Sequence, residues 1–220
     1  MPAALHRVAP RPVVGEAWLV ADRLSCERGG RDVFRALDIT LARGHVLQIE
    51  GANGSGKTSL LRILAGMLIP VEGAVFWRGT DIRTELRTYC GELCFVGHMD
   101  GLKNGLTARE NLRFARTLRA SPGGCTPDEA LERLDMGAYA DTQVAYLSSG
   151  QRRRVALARL LLGVEPLWIL DEPFAALDEA GIGRVEALLA AHAACGGLAV
   201  VSTHQTLRIA HDRLALSGGS

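Results

Sequence analysis

Residues 51–58 read Gly-Ala-Asn-Gly-Ser-Gly-Lys-Thr, a full match to the phosphate loop G-x-x-x-x-G-K-S/T. Such a loop works only between a strand that fixes its start and a helix whose first N–H groups converge on an anion. Both flanks are in place, an apolar strand from His45 to Glu50 before it and a helix from Ser59 to Leu68 after it. A chance glycine-rich turn would have neither. Glycines let the backbone wrap closely around phosphate, so Gly51, Ala52, Asn53, Gly54, Ser55, Gly56 and Ser59 are the expected cradle for the phosphates of a nucleotide. Lys57 would neutralise the β- and γ-phosphates, and Thr58 would place its hydroxyl on Mg²⁺.

The acid that such a site needs stands at Leu167 to Glu172, an apolar strand ending in two adjacent carboxylates. Asp171 would hold Mg²⁺ through water, while Glu172 would polarise the attacking water as general base. Taken alone, the pair reads more simply as a solvated acidic turn. Beside a phosphate loop the catalytic reading prevails.

The 220 residues, 48% of them hydrophobic, suit one compact domain or two small subdomains sharing a core. Two alternating segments from Trp18 to Leu41 flank a turn at Gly29 and Gly30, as a hairpin would. Gly73 to Trp77 and Leu93 to Val96 are further strands, and Leu167 to Leu170 and Leu198 to Val201 are apolar throughout, as in a parallel sheet covered on both faces. Thr107 with Glu110, and Thr126 with Pro127 and Glu129, match the capping box that opens a helix. They bracket a helical insert. A third helix begins after Ser148 and Gly150 and runs to Pro166. The expected fold is α/β, with a mainly parallel core sheet, an antiparallel β subdomain and a helical insert at about residues 99–165. Residues 1–16 are expected to be a loose tail, and 17–220 a single nucleotide-binding domain.

Several function classes fall away on composition. Lys and Arg number 25 against 24 Asp and Glu, so no cationic excess is available to hold a phosphate backbone by counterion release. The run Arg152, Arg153, Arg154 reads as one turn of a solvated helix face. Five cysteines without an N-terminal export signal point to a reducing cytosol. Cys90 and Cys94 lack the C-x-x-C-H spacing of haem attachment and are expected in core or turn positions. Ala187 to Leu207 carries no Asp, Glu, Lys or Arg, but Gly196-Gly197 breaks it too early for a membrane span. A role at a membrane would require docking onto another subunit.

Between the phosphate loop and the acidic strand lies L-S-S-G-Q, Leu147 to Gln151; after them come A-L-D, Ala176 to Asp178, and His204 just past a strand. In this order, across nearly the whole chain, these elements resemble the nucleotide-binding domain of ABC ATPases, the P-loop NTPases of ABC transporters. The resemblance implies that Ser148, Gly150, Gln151 and Asp178 contact the ATP held by a second copy, so that two chains sandwich two ATP molecules. It also implies that His204 is the switch histidine at the γ-phosphate. A narrower likeness lies in Gln48 to Thr58, Phe95 to Lys103, Leu106 to Phe114 and Pro166 to Asp178. These segments resemble the ATP-binding subunits of bacterial cytochrome c maturation transporters, the haem exporters. The likeness implies ATP hydrolysis at the cytoplasmic side of the inner membrane, coupled through CcmB, with CcmC and CcmD, to haem export or to release of a haem chaperone. The readings it competes with are a soluble ABC ATPase of DNA repair or translation and the motor of another small-substrate transporter.

Three positions depart from the general family pattern. His98 stands where a Gln usually contacts Mg²⁺ and the membrane subunits, and imidazole is a poor ligand for so hard a cation. Either His98 joins the coupling interface, or Mg²⁺ relies on Thr58 and Asp171 with extra water. Arg28 aligns near the aromatic that stacks on adenine, where its guanidinium plane would serve instead. Ser149 replaces a glycine of the signature, next to the retained Gly150.

Overall fold

The computed structural model describes residues 17–119 and 123–217; the tail expected at 1–16 lies outside them. The chain opens with an antiparallel hairpin, β1 (Ala17–Arg28) and β2 (Arg31–Ala42), closed at Gly29-Gly30. Strands β4 (Glu72–Trp77) and β5 (Thr80–Asp81) extend it into a four-stranded sheet of order β2-β1-β4-β5. The second sheet is built from β6 (Leu93–Val96), β7 (Leu167–Asp171), β8 (Leu198–Ser202), β3 (Val46–Glu50) and β9 (Asp212–Ala215), in that spatial order. Every pairing in it is parallel.

The apolar runs explain this arrangement. All five residues of β7 and of β8 are buried, because the central strands are covered on both faces and alternate residues serve opposite layers. Leu167, Ile169, Leu198 and Val200 pack with Leu47 and Ile49 against the antiparallel sheet and against α1 (Lys57–Leu64). Trp168, Leu170, Ala199 and Val201 face the other way. There they meet α3 (Ala108–Thr117), α4 (Pro127–Arg133), α5 (Ser149–Ala158) and α6 (Glu179–Ala194) through Leu112, Leu131, Val155 and Leu189. His192 of α6 stacks on Trp168 with centroids 3.8 Å apart, and burial pulls it below the ordinary histidine range. It is a half-buried histidine packed on the edge of the core.

Local signals hold where capping fixes them. Thr107 and Thr126 each accept from the N–H three residues on, and Glu110 and Glu129 reach back, as their spacing predicts. Ser148 and Gln151 form a third capping box: Gln151 N–H donates to Ser148 Oγ at 3.2 Å, and Ser148 N–H donates to Gln151 Oε1 at 2.9 Å. α1 stops at Leu64, four residues short of the sequence expectation. Gly66 turns left-handed there, and the N–H groups of Met67 and Leu68 both fold back onto Arg62 O, which is how a helix closes its last carbonyls. The short helix α2 (Leu86–Gly91) carries Cys90, which is exposed, whereas Cys94 is buried in β6; Cys90 is thus in neither core nor turn. Among the described residues no helix is long and apolar enough to cross a membrane.

Candidate functional site

Parallel strands bring their carboxyl ends to one edge of the sheet, and side chains that follow them share a crevice. β7, β8 and β3 are adjacent, so the phosphate loop after β3, the Asp171-Glu172 pair ending β7 and the Ser202-Thr203-His204 segment ending β8 converge. Lys57 is buried, and its Nζ donates to the carbonyls of Gly51 at 2.7 Å and Ala52 at 3.3 Å. The same nitrogen lies 3.3 Å from His204 Nε2 and 3.9 Å from Glu172 Oε1. His204 Nε2 completes the ring, 3.4 Å from Glu172 Oε1 and 3.1 Å from Asn53 Oδ1.

A second network lies beneath. Thr58 Oγ1 donates to Asp171 Oδ2 at 2.9 Å, and Ser202 Oγ donates to Asp171 Oδ1 at 2.7 Å. Glu172 sits in the left-handed region, φ +49°, which costs a non-glycine residue about 1 kcal/mol. Its N–H donates to both Ser202 O, at 3.1 Å, and Ser202 Oγ, at 3.0 Å. Ser55 Oγ is buried with no hydrogen-bond partner among the described residues. An orphaned donor at the centre of a glycine-rich loop is what a phosphate oxygen would satisfy.

The expected cradle, Gly51 to Ser59, thus meets Asp171, Glu172 and His204. The residues assigned to a second copy's nucleotide form a separate cluster. Ser148 caps α5, Asp178 caps α6 through Gly181 N–H at 2.9 Å, and Arg154 Nη2 donates to Asp178 Oδ1 at 2.6 Å. The Gly181 N–H, and then Arg154, hold the Asp178 carboxyl below the usual carboxylate range. Gly150 has to be glycine for space, since a Cβ there would lie 2.6 Å from Ala176 O. Ser149, at the first helical position, is exposed and bears no such restriction. Because Ser148 Oγ accepts from its own helix, its hydroxyl proton stays free to be donated.

Arg28 is exposed at the end of β1. The hairpin residues that lie against the phosphate loop are Val33 and Phe34, which an added Cβ at Gly56 would meet. His98 follows β6 and is exposed, next to Met99 at 85% exposure. The run Arg152 to Arg154 corrects the reading of a solvated face: Arg153 is 3% exposed and donates to main-chain carbonyls on two loops. Helical period carried the signal, since Arg153 precedes the fully buried Ala156 and Leu157 by three and four positions. Sequence reading also missed Ser202, whose only signal was a hydroxyl at the end of a buried strand.

Residues 34–175 match the family model described as ABC transporter. The "Cytochrome c biogenesis ATP-binding export protein CcmA" of Methylococcus capsulatus (strain Bath) is 46% identical over 205 residues, 93% of this chain and 99% of that protein. The protein of the same name from Nitrosococcus oceani is 46% identical over 195 residues, 89% of each chain. Among solved structures, a dimeric bacterial ABC transporter cassette superposes with a TM-score of 0.79 at 26% identity, covering 90% of this chain and 94% of that one.

Proposed function

The chain belongs to the ABC transporter family of ATP-binding proteins, and within it to the CcmA group; from that premise we propose that it is the ATP-hydrolysing motor of a cytochrome c maturation, haem-exporting complex. One observation supports the chemistry above all: Lys57, Glu172 and His204 form a closed ring over the Thr58–Asp171–Ser202 network at a single sheet edge.

From that ring we infer the steps. Lys57 draws the γ-phosphate of ATP toward the loop and offsets its charge. Glu172 accepts a proton from the attacking water, and His204, between Glu172 and Asn53, steadies that carboxylate and donates to the γ-phosphate. Thr58 and Asp171 are the residues that would hold Mg²⁺, an oxygen pair suited to a hard cation that neutralises β- and γ-phosphate charge. Arg28 is the proposed partner of the adenine plane. Ser148, Gly150, Gln151 and Asp178 serve the ATP of a second copy: their hydrogen bonds lie within the α5 and α6 caps and with Arg154, and the α5 N-terminus with its free Ser148 proton is a ready site for an anion.

The helical part at about residues 99–165, with His98 at its edge, is the proposed contact for CcmB, with CcmC and CcmD, at the cytoplasmic face of the inner membrane. Affinity purification of the chain from solubilised membranes is expected to carry those subunits with ATP-dependent hydrolysis. Recovery with ribosomes or DNA would replace transport by the soluble ABC reading.

The composite site makes its own prediction. Lys57→Ala and Ser148→Arg chains are each expected to be inactive alone, because every site in either homodimer lacks one element. Mixed, they regenerate one complete site per heterodimer and recover part of the wild-type turnover. Full activity from the Ser148→Arg chain alone would defeat the two-copy arrangement.

A further inference from the structure

Arg153 has no part in the chemistry described above, yet it makes more hydrogen bonds than any group in the site. Its Nη2 donates to Asp171 O at 2.7 Å and Glu172 O at 3.0 Å, and its Nε lies 3.3 Å from Pro173 O. Its Nη1 donates to Gly97 O at 2.7 Å and faces Asp100 Oδ1 at 3.4 Å. One guanidinium therefore binds three successive carbonyls at the end of β7 and just past it and, through Nη1, the loop that carries His98.

The geometry matters because of where Glu172 is held. Its left-handed backbone is fixed on the N–H side by Ser202 and on the C=O side by Arg153. These two grips set the direction in which the carboxylate leaves the chain toward Lys57 and His204. A left-handed non-glycine residue persists only where its surroundings over-determine it. Arg153 is also rigidly joined to Ser148, since five residues of α-helix span only about 7.5 Å.

Resting on the ATPase reading, we propose that Arg153 is a positioning residue that acts through Glu172. It holds the base's main chain in the productive conformation and links it to two contact points, the α5 N-terminus and the loop at residues 97–100. What those two points touch is thereby felt at Glu172 without passing through the nucleotide. Burial pulls the guanidinium below the ordinary arginine range, opposed by Asp100.

The fork also explains why arginine is required. A lysine ammonium is a single donor centre and cannot serve the carbonyls of Glu172, Pro173 and Gly97 together. Methionine fills similar space and donates nothing.

The test uses the full chain in its membrane complex. Arg153→Met is expected to lower kcat for ATP about tenfold or more while leaving KM within about threefold, the pattern of an interaction used in the transition state. Arg153→Lys is expected to fall between. In a Glu172→Gln background, adding Arg153→Met is expected to change the residual single-turnover rate by less than about twofold, because the group it acts through is already gone. A full multiplicative loss in that background would overturn the proposal, since general damage to the fold adds to any other defect. Should Arg153→Met fail to fold, Asp100→Asn, which removes the facing charge and leaves every carbonyl bond, is expected to lower kcat by a few-fold under the same cycle. Undiminished kcat in the Met variant, or in the Asn variant where it replaces it, also overturns the role of Arg153 while the ATPase reading stands. A wild-type complex without ATP hydrolysis would instead defeat that reading itself.

Discussion

Glu172→Gln is expected to slow ATP hydrolysis by at least about a hundredfold, or roughly 2.7 kcal/mol of barrier, because a positioned base contributes about 10² to 10⁴-fold. The carboxamide keeps the size of the side chain and its main-chain grips on Ser202 and Arg153. What it loses is the charge that accepts the proton of water. ATP binding should survive, since the cradle and Lys57 are untouched. If hydrolysis is what parts two copies, ATP and Mg²⁺ should now hold a dimer that elutes as such on size-exclusion chromatography, with ATP recovered intact. Asp171→Asn should behave differently. It leaves the Thr58 and Ser202 hydroxyls facing a neutral group, so Mg²⁺ binding falls and little dimer is trapped. A Glu172→Gln chain that hydrolyses ATP within a few-fold of wild type in single-turnover assays would remove Glu172 from the chemistry.

The second large effect belongs to Lys57→Ala, which should abolish turnover and weaken ATP binding by about 10- to 100-fold, the range of one charge-assisted hydrogen bond lost. Two losses combine. The γ-phosphate loses its cation, and the carbonyls of Gly51 and Ala52 lose the donor that ties the two ends of the loop together. The hydrophobic side of α1, Leu60, Leu61 and Leu64, is unaffected, so far-ultraviolet circular dichroism should match wild type. Hydrolysis near the wild-type rate in the assembled complex would void the phosphate-loop assignment.

The parts of the fold that were legible in sequence are those where one physical requirement dominates. β7 and β8 announce themselves because a strand covered on both faces admits no polar interruption. The helix starts at Thr107 and Thr126 are fixed by reciprocal capping bonds. Less legible were elements whose reason lies across the fold. β9 is a short edge strand with Asp212, Arg213 and a single buried residue, Leu214, and only its place beside β3 makes it a strand. Ser148 carried two signals at once, a phosphate contact and a helix cap, and the first masked the second. Arg153 was misread because a run of three like charges suggests a solvated face, although the helical period placed its middle member inside.

The phosphate loop, Asp171, Glu172 and His204 were readable as one candidate set because each lies at or just past the carboxyl end of an adjacent strand. Ser202 was not, as its contribution depends on Asp171 and Glu172 lying one strand away.

One feature of the sheet bears on how the chain is made. β3, which launches the phosphate loop, has only β8 and β9 as neighbours: Val46 pairs with Ala199, and Leu47 with Asp212. A ribosome that has delivered the phosphate loop has therefore delivered none of the backbone partners that hold it in place. At ~5–20 residues per second, the strand waits for many seconds with its apolar residues unpaired. The candidate site is incomplete during that time, because Ser202 and His204 arrive with the same late segment. The apolar face of β3 is thus exposed to aggregation until residues 198–215 have emerged, and their arrival is the moment at which the parallel sheet closes around the phosphate loop.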